Sequence, residues 1–396
     1  MADLKELIFV SLESWDEIWR RNQFVCDGLV RRHPDLRILF VEPPKDISNA
    51  LRRGRWRELF RARGRRVGAG GRIEITRALK FFPNSWPMGR RMNEKMTGGH
   101  LRRTAQRLGF RAPWLWINAH SEGHLAGRIQ RKGVIYDVTD DWTSFEQDSP
   151  ACALTRQQDQ SLCRAADAVI VCSERLRELK QPLARAVHLI PNGVDGSHYE
   201  CVMDGRTAKP AETLAWMRPV LGYTGSIHAE RVDLKLVEAL ARRLPHATIA
   251  MVGPDMLAAG DRQRLEAIGN VIFTGARKYS EIPAYMSAFD VCITPHLVTP
   301  FTDSLNPIKL WEYLASGKPI LSTKVAGFRD YPPFVHLAAD AEGFARGLEA
   351  ALQEDSMQAE ARRAFARQHS WEERLGAVER VFEQVSAGRE MEVAHV

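Results

Sequence analysis

The chain has 396 residues, 44% of them hydrophobic and 27% charged, enough for two globular domains and unlike a disordered or low-complexity protein. No run of about 18 apolar residues occurs, so no membrane-spanning helix is expected. The net charge of +7 is concentrated: between Lys45 and Arg111 stand 19 Lys and Arg against 4 Asp and Glu, which leaves the remainder acidic.

Short apolar runs alternate with amphipathic stretches, the pattern of βα units on a parallel sheet. The first half reads as strand Leu7–Leu12, helix Ile18–Arg32 and strand Leu36–Val41. Past the basic stretch come helix Met88–Leu108, strands Trp114–Asn118 and Val134–Asp137, helix Leu154–Ala165, and strands Ala168–Cys172 and Val187–Ile190. After Pro191-Asn-Gly193 the periodicity lapses as far as Arg218, as in a linker. The second half reads as strand Val220–Thr224, helix Leu234–Leu244, strands Thr248–Val252, Val271–Thr274 and Val291–Thr294, helix Ile308–Ser316, strand Pro319–Ser322 and helix Gly343–Leu352. A last helix is expected at Trp371–Val385.

The expected organisation is therefore a Rossmann-like domain over 1–195 with a basic insertion at 45–111, a linker at 196–218, a second Rossmann-like domain at 219–370, and a helix and tail at 371–396. Two doubly wound domains facing a cleft put ligands at the carboxyl ends of their strands. Six cysteines form no C-x-x-C pair and no metal spacing, so reduced thiols are expected and no metal site. The N-terminal residues lack the apolar core of a secretory signal.

Two motifs carry chemistry. In Val220-Leu-Gly-Tyr-Thr-Gly-Ser-Ile227 a strand runs into Gly225 and Ser226 before a helix, where a phosphate could approach the backbone; an ordinary turn reads the same way. No phosphate loop of the G-x-x-x-x-G-K-[ST] type is present. In the second motif a strand ends in a long loop, Thr294 to Asn306, Pro307 opens a helix, and Lys309 and Glu312 are i, i+3 neighbours on it. Lys309 offers a cation for a diphosphate and Glu312 an acceptor pair for ribose hydroxyls, or the two are a solvated surface pair.

Taken with Trp19-Arg-Arg-Asn-Gln23, Val41-Glu-Pro-Pro44, Tyr136-Asp-Val-Thr-Asp-Asp-Trp142, Ala166-Asp-Ala-Val-Ile-Val-Cys-Ser173, Ile190-Pro-Asn-Gly-Val-Asp195, Asn306-Pro-Ile-Lys-Leu-Trp-Glu-Tyr-Leu-Ala-Ser-Gly-Lys-Pro-Ile320 and His369-Ser-Trp-Glu372, these motifs resemble bacterial GT-B glycosyltransferases that build exopolysaccharides and other surface glycans. The resemblance implies an α/β fold of GT-B type and a nucleotide-diphosphate sugar, UDP or GDP type, as donor substrate with no separate cofactor. It also implies donor contacts from Glu312 to the ribose, from Lys309, Leu305 and Asn306 to the phosphates, from Gly225 and Ser226 to the diphosphate, and from Ala276 and Arg277 to the base. Arg231 is a further cation candidate, displaced from the expected position. Retaining members carry two glutamates eight positions apart; here Ser304 stands eight before Glu312, with Asp303 one place off, so an inverting mechanism stays open.

An inverting transfer needs a base for the acceptor hydroxyl. Asp140 and Asp141, following one strand, and His120, following another, are the candidates, with turn capping and loop packing as their alternatives. Arg20 and Arg21 are candidates for a pyrophosphate of donor or acceptor, and Trp15 for stacking on a sugar or for packing. Around Arg52, Arg53, Trp56, Leu59 and Phe60 the sequence reads as a helix lying on an anionic membrane, or as a solvated insertion.

The expected partners are a nucleotide-sugar donor, a lipid-linked saccharide acceptor and an anionic membrane surface, with no nucleic acid. The expected location is the cytoplasm, peripherally attached to the inner face of the cell membrane. A GT-B nucleotide-sugar 2-epimerase and a non-catalytic nucleic-acid-binding scaffold are the alternatives.

Overall fold

In a computed structural model of the chain, residues 4–47, 65–144, 149–205 and 207–394 are described. Arg52, Arg53, Trp56, Leu59 and Phe60 lie outside them. The chain divides into one unit made of Met1–Pro191 and Leu375–Val396, and a second made of Asn192–Arg374.

The first unit is built on the strands β1 (Glu6–Val10), β2 (Arg37–Asp46), β3 (Arg65–Val67), β4 (Ile73–Lys80), β5 (Trp114–Ile117), β6 (Val134–Val138), β7 (Ala168–Val171) and β8 (Val187–Leu189). Their spatial order is β3-β4-β2-β1-β5-β6-β7-β8. Every pairing is parallel except β3 with β4. Runs such as Trp114-Leu-Trp-Ile117 are buried throughout because crossover helices cover both sheet faces, so no polar alternation is required. Strands β3 and β4 are absent from the sequence-based expectation. The period-2 alternation of Ile73-Glu-Ile-Thr-Arg is masked by dense positive charge, and Glu74 is buried beside Arg107 and Arg66.

In the second unit, β9 (Val220–Thr224), β10 (Thr248–Val252), β11 (Val271–Gly275), β12 (Val291–Thr294), β13 (Ile320–Ser322) and β14 (His336–Leu337) form a parallel sheet in the order β11-β10-β9-β12-β13-β14. Alternate residues serve two cores. Val220, Ala250 and Cys292 pack on one side with Tyr199 and Trp311, while Leu221, Ile249 and Ile293 pack on the other with Val237 and Leu240. The helix Leu234–Arg243 is capped by Asp233, whose side chain accepts from the Leu236 N–H at 3.0 Å.

Within 196–218 the chain is packed rather than extended. It forms the short helix Gly196–Tyr199 and the turns Glu200–Val202 and Ala211–Ala215, and it buries Tyr199, Val202 and Trp216 in the second unit's core. The final helix runs Trp371–Ala394, longer than expected. From Leu375 onward it belongs to the first unit: Leu375 lies over Gly28, Phe382 meets Trp114 edge-on at 4.9 Å, and Arg389 pairs with Asp167 at 2.8 Å.

Candidate functional site

Because the strands of each sheet, β3 apart, run parallel, the loops leaving their carboxyl ends gather on one edge. In the second unit these are Gly225–His228 after β9, Gly253 after β10, Ala276–Arg277 after β11, and the segment from Pro295 to Pro307 after β12, which leads into the helix Ile308–Ser316. That helix follows Pro307 and ends at Gly317, whose φ of 76° makes a left-handed cap.

Lys309 is drawn back from this helix to the β9 turn. Its ammonium donates to Tyr223 Oη at 2.6 Å, sits 3.9 Å from the Tyr223 ring centroid, and lies 3.5 Å from His296 Nε2. Tyr223 donates its own proton to the Ser226 carbonyl at 3.0 Å and lies 3.2 Å from His296 Nε2. A Cβ built on Gly225 would stand 3.0 Å from Lys309 Nζ. Gly225, Ser226 and Lys309 therefore converge, and Arg231 acts on the same group electrostatically while stacking on Phe301 at 5.1 Å.

The cluster is cationic and partly dehydrated. Burial, reinforced by Arg231 and opposed by Glu312, lowers the Lys309 ammonium to about 7. Burial together with Lys309 and Arg231 drives His296 well below its usual value, and burial with Arg231 lowers His228. Glu312 accepts from Tyr199 Oη at 2.8 Å. Burial raises its carboxyl, while the Tyr199 bond and Lys309 work against that rise. The result is a fixed acceptor one helical turn from a fixed donor, with cations around a bare glycine turn: a place suited to a ribosyl diphosphate.

The other expected donor residues are placed differently. Asn306 Oδ1 accepts from the Asn192 N–H at 2.9 Å and from Trp311 Nε1 at 3.3 Å, so its side chain is committed to the fold. Leu305 is buried. Ala276 is exposed, and Arg277 pairs with Glu212 at 3.0 Å at the end of the edge strand β11, two places from β9. Ser304 is fully buried and donates to the Phe301 carbonyl at 2.8 Å, while Asp303 pairs with Arg329. Tyr223, His296 and Tyr199 belong to the site although the sequence reading did not select them. His296, two residues past the end of β12, had the positional signal.

Gly253 closes the turn from below. Its φ is 146°, and a Cβ there would fall 2.2 Å from the Gly225 carbonyl oxygen. Gly253→Ala is expected to lower stability by about 1–3 kcal/mol through backbone strain and to displace the Gly225 turn. A thermal midpoint equal to that of the parent would contradict this.

In the first unit the carboxyl edge holds a buried polar network. Arg21 makes two 3.1 Å bonds to the two oxygens of Asp137, and both residues are buried. Asn22 donates to Ser11 Oγ at 2.8 Å and to Asn118 Oδ1 at 2.9 Å, and Asn118 donates to the Asp137 carbonyl at 3.0 Å. The fork of Arg21 is thus occupied by the fold. Arg20 is half-buried among Asp16 at 3.0 Å and Glu13 at 3.4 Å. Trp15 is buried edge-on against Phe40 at 5.0 Å, a packing arrangement. Asp141 accepts from the Thr143 N–H at 3.1 Å and so closes its own turn, while Asp140 accepts from Thr139 Oγ1 at 3.2 Å. His120 opens a short 3₁₀ stretch, His120–Gly127. Burial lowers its pKa against the pull of Asp159, which keeps the imidazole neutral near pH 7. Among the described residues no group of three or more His, Cys, Asp or Glu is arranged to hold a metal.

Residues 218–354, within the second unit, match the family model described as Glycosyl transferases group 1. Over 257 residues the chain is 30% identical to a protein of Bacillus subtilis (strain 168) named as a teichuronic acid biosynthesis glycosyltransferase, TuaH. The match spans 60% of this chain and 64% of that relative's length. Sucrose-phosphate synthase from Thermosynechococcus elongatus superposes with a TM-score of 0.72 at 14% identity, covering 96% of this chain and 99% of that one. The E. coli trehalose-6-phosphate structure bound with UDP-2-fluoro glucose does so at 0.67 and 12%, covering 96% and 99%. The fold is GT-B.

Proposed function

We propose that the protein is a glycosyltransferase that moves a sugar from a nucleotide-diphosphate donor to a lipid-linked saccharide during assembly of a cell-surface polysaccharide. The observation that carries this reading is the convergence of Lys309, Gly225 and Arg231, with Glu312 anchored by Tyr199 one turn away. The name of the B. subtilis relative supports the surface-glycan setting. The enzyme acts at the cytoplasmic face of the membrane that carries its acceptor.

In the reaction the acceptor hydroxyl oxygen bonds to the anomeric carbon as the bond from that carbon to the diphosphate breaks. The electron pair leaves with the nucleoside diphosphate, whose growing charge Lys309 and Arg231 offset. The hydroxyl proton passes to a base.

The test is a screen of UDP- and GDP-sugars by thermal shift, followed by calorimetry on Glu312→Ala. The expected result is one stabilising donor class whose affinity falls about tenfold in the variant, the worth of a hydrogen bond to a charged group. Unchanged affinity in Glu312→Ala defeats the site assignment. Conversion of donor incubated alone into its 2-epimer, followed by NMR, defeats the transferase reading.

A further inference from the structure

We propose that the water-facing stripe of the helix Pro87–Arg107, with the groove between it and β4, is the surface by which the first unit docks on an anionic lipid bilayer. This rests on the transferase reading only for the reason the membrane matters, since it names where that membrane is met.

The helix is amphipathic in the wrong sense for a soluble surface helix. Its buried side is Gly89, Asn93, Thr97, Gly98, Leu101, Thr104 and Ala105, small or polar apart from Leu101. Its water-facing side carries Met88, Met92, Lys95, Met96, Arg102 and Arg103, which at about 100° per residue fall within a stripe roughly 120° wide. Met88, Met92 and Met96 are 57%, 43% and 40% exposed, and in the segment leading into the helix Phe81 and Trp86 are 42% and 48% exposed. Five large apolar side chains held in water within one short stretch need a partner.

The fold fixes them there. Buried Asn93 accepts from the Phe81 N–H at 3.0 Å and donates to the Phe82 carbonyl at 2.8 Å, which ties the loop that carries Phe81 to the helix. A groove of about 710 Å³ opens between the helix and β4, lined by Phe81, Met96, Arg77, Lys95, Arg102 and Arg103. At its floor Gly99 has open space where a side chain would project.

Cations framing an apolar strip match the two layers of an anionic membrane, phosphates above and acyl chains below. The long arginines suit the boundary between them. Nucleic acid would be served by the charge alone and leaves the methionines without a role.

The full chain is to be sedimented with vesicles of phosphatidylglycerol in phosphatidylcholine, and with pure phosphatidylcholine, in the absence of donor and acceptor. Binding to the mixed vesicles alone is expected. The triple change Lys95→Gln, Arg102→Gln, Arg103→Gln is expected to weaken it about a hundredfold, near fivefold per charge. Met88→Gln, Met92→Gln, Met96→Gln, which keeps every charge, is expected to weaken it at least about tenfold, with circular dichroism and the donor-induced thermal shift unchanged. The proposal is overturned if the methionine variant binds like the parent, if pure phosphatidylcholine binds equally, or if binding is lost only in Arg52→Gln, Arg53→Gln, Arg55→Gln, Arg57→Gln. Failure to bind vesicles with the donor shift intact removes this surface alone; the reverse result removes the transferase reading alone.

Discussion

Lys309→Met is expected to weaken donor binding by about 2–3 kcal/mol, thirty- to a hundredfold, because it removes a charge-assisted bond to the diphosphate from a half-dehydrated site. The same residue should write a pH signature. In the empty protein its ammonium is lowered to about 7 by burial and by Arg231, against Glu312. A bound diphosphate restores the charge, so above pH 7 binding takes up a proton. Since the complex then holds more protons than the free protein, affinity must fall as pH rises, approaching tenfold per unit between about 7 and 9. His296 and His228, both lowered from their usual range, titrate below this window and do not produce the slope. Calorimetry across pH, repeated in buffers of different ionisation enthalpy, reads both numbers. A parent slope that persists in Lys309→Met would assign the proton elsewhere.

The second large effect concerns stability. Asp137→Ala is expected to cost about 3–5 kcal/mol, because it strands the buried Arg21 guanidinium without its two bonds to the carboxylate. The paired change Arg21→Met with Asp137→Leu should recover most of the loss, since no charge then remains buried. Urea unfolding followed by tryptophan fluorescence measures both. A mild single variant would mean that the guanidinium finds other partners or water.

Lys309 and Arg21 mark what a local reading of the sequence reaches and where it stops. Lys309 and Glu312 were legible because both lie on one helix, where spacing dictates that they share a face. Arg21 looked like a phosphate ligand because a local window displays an arginine at a helix start and nothing to hold it. Its partner stands 116 residues away, a separation no spacing rule covers. Tyr223 and His296 were hidden differently. One reads as strand core and the other as loop, and only the pairing of β9 with β12 brings their side chains together beneath Lys309. The strands themselves were mostly visible, since a parallel sheet covered on both faces demands unbroken apolar runs. β4 escaped because its buried Glu74 is neutralised by Arg107 of the helix Pro87–Arg107 and by Arg66 of β3.

The last helix sets the order of events during synthesis. The first unit is assembled from both ends of the chain, and Leu375, Val378, Val381 and Phe382 are core residues of which Phe382 packs on Trp114. When Pro191 has left the ribosome its sheet is complete but this covering helix does not yet exist. The whole of Asn192–Arg374 must be translated first, a wait of about 10–40 s at ordinary elongation rates. Throughout that interval the nascent first unit lacks the side chains of Leu375, Val378, Val381 and Phe382 that complete its core.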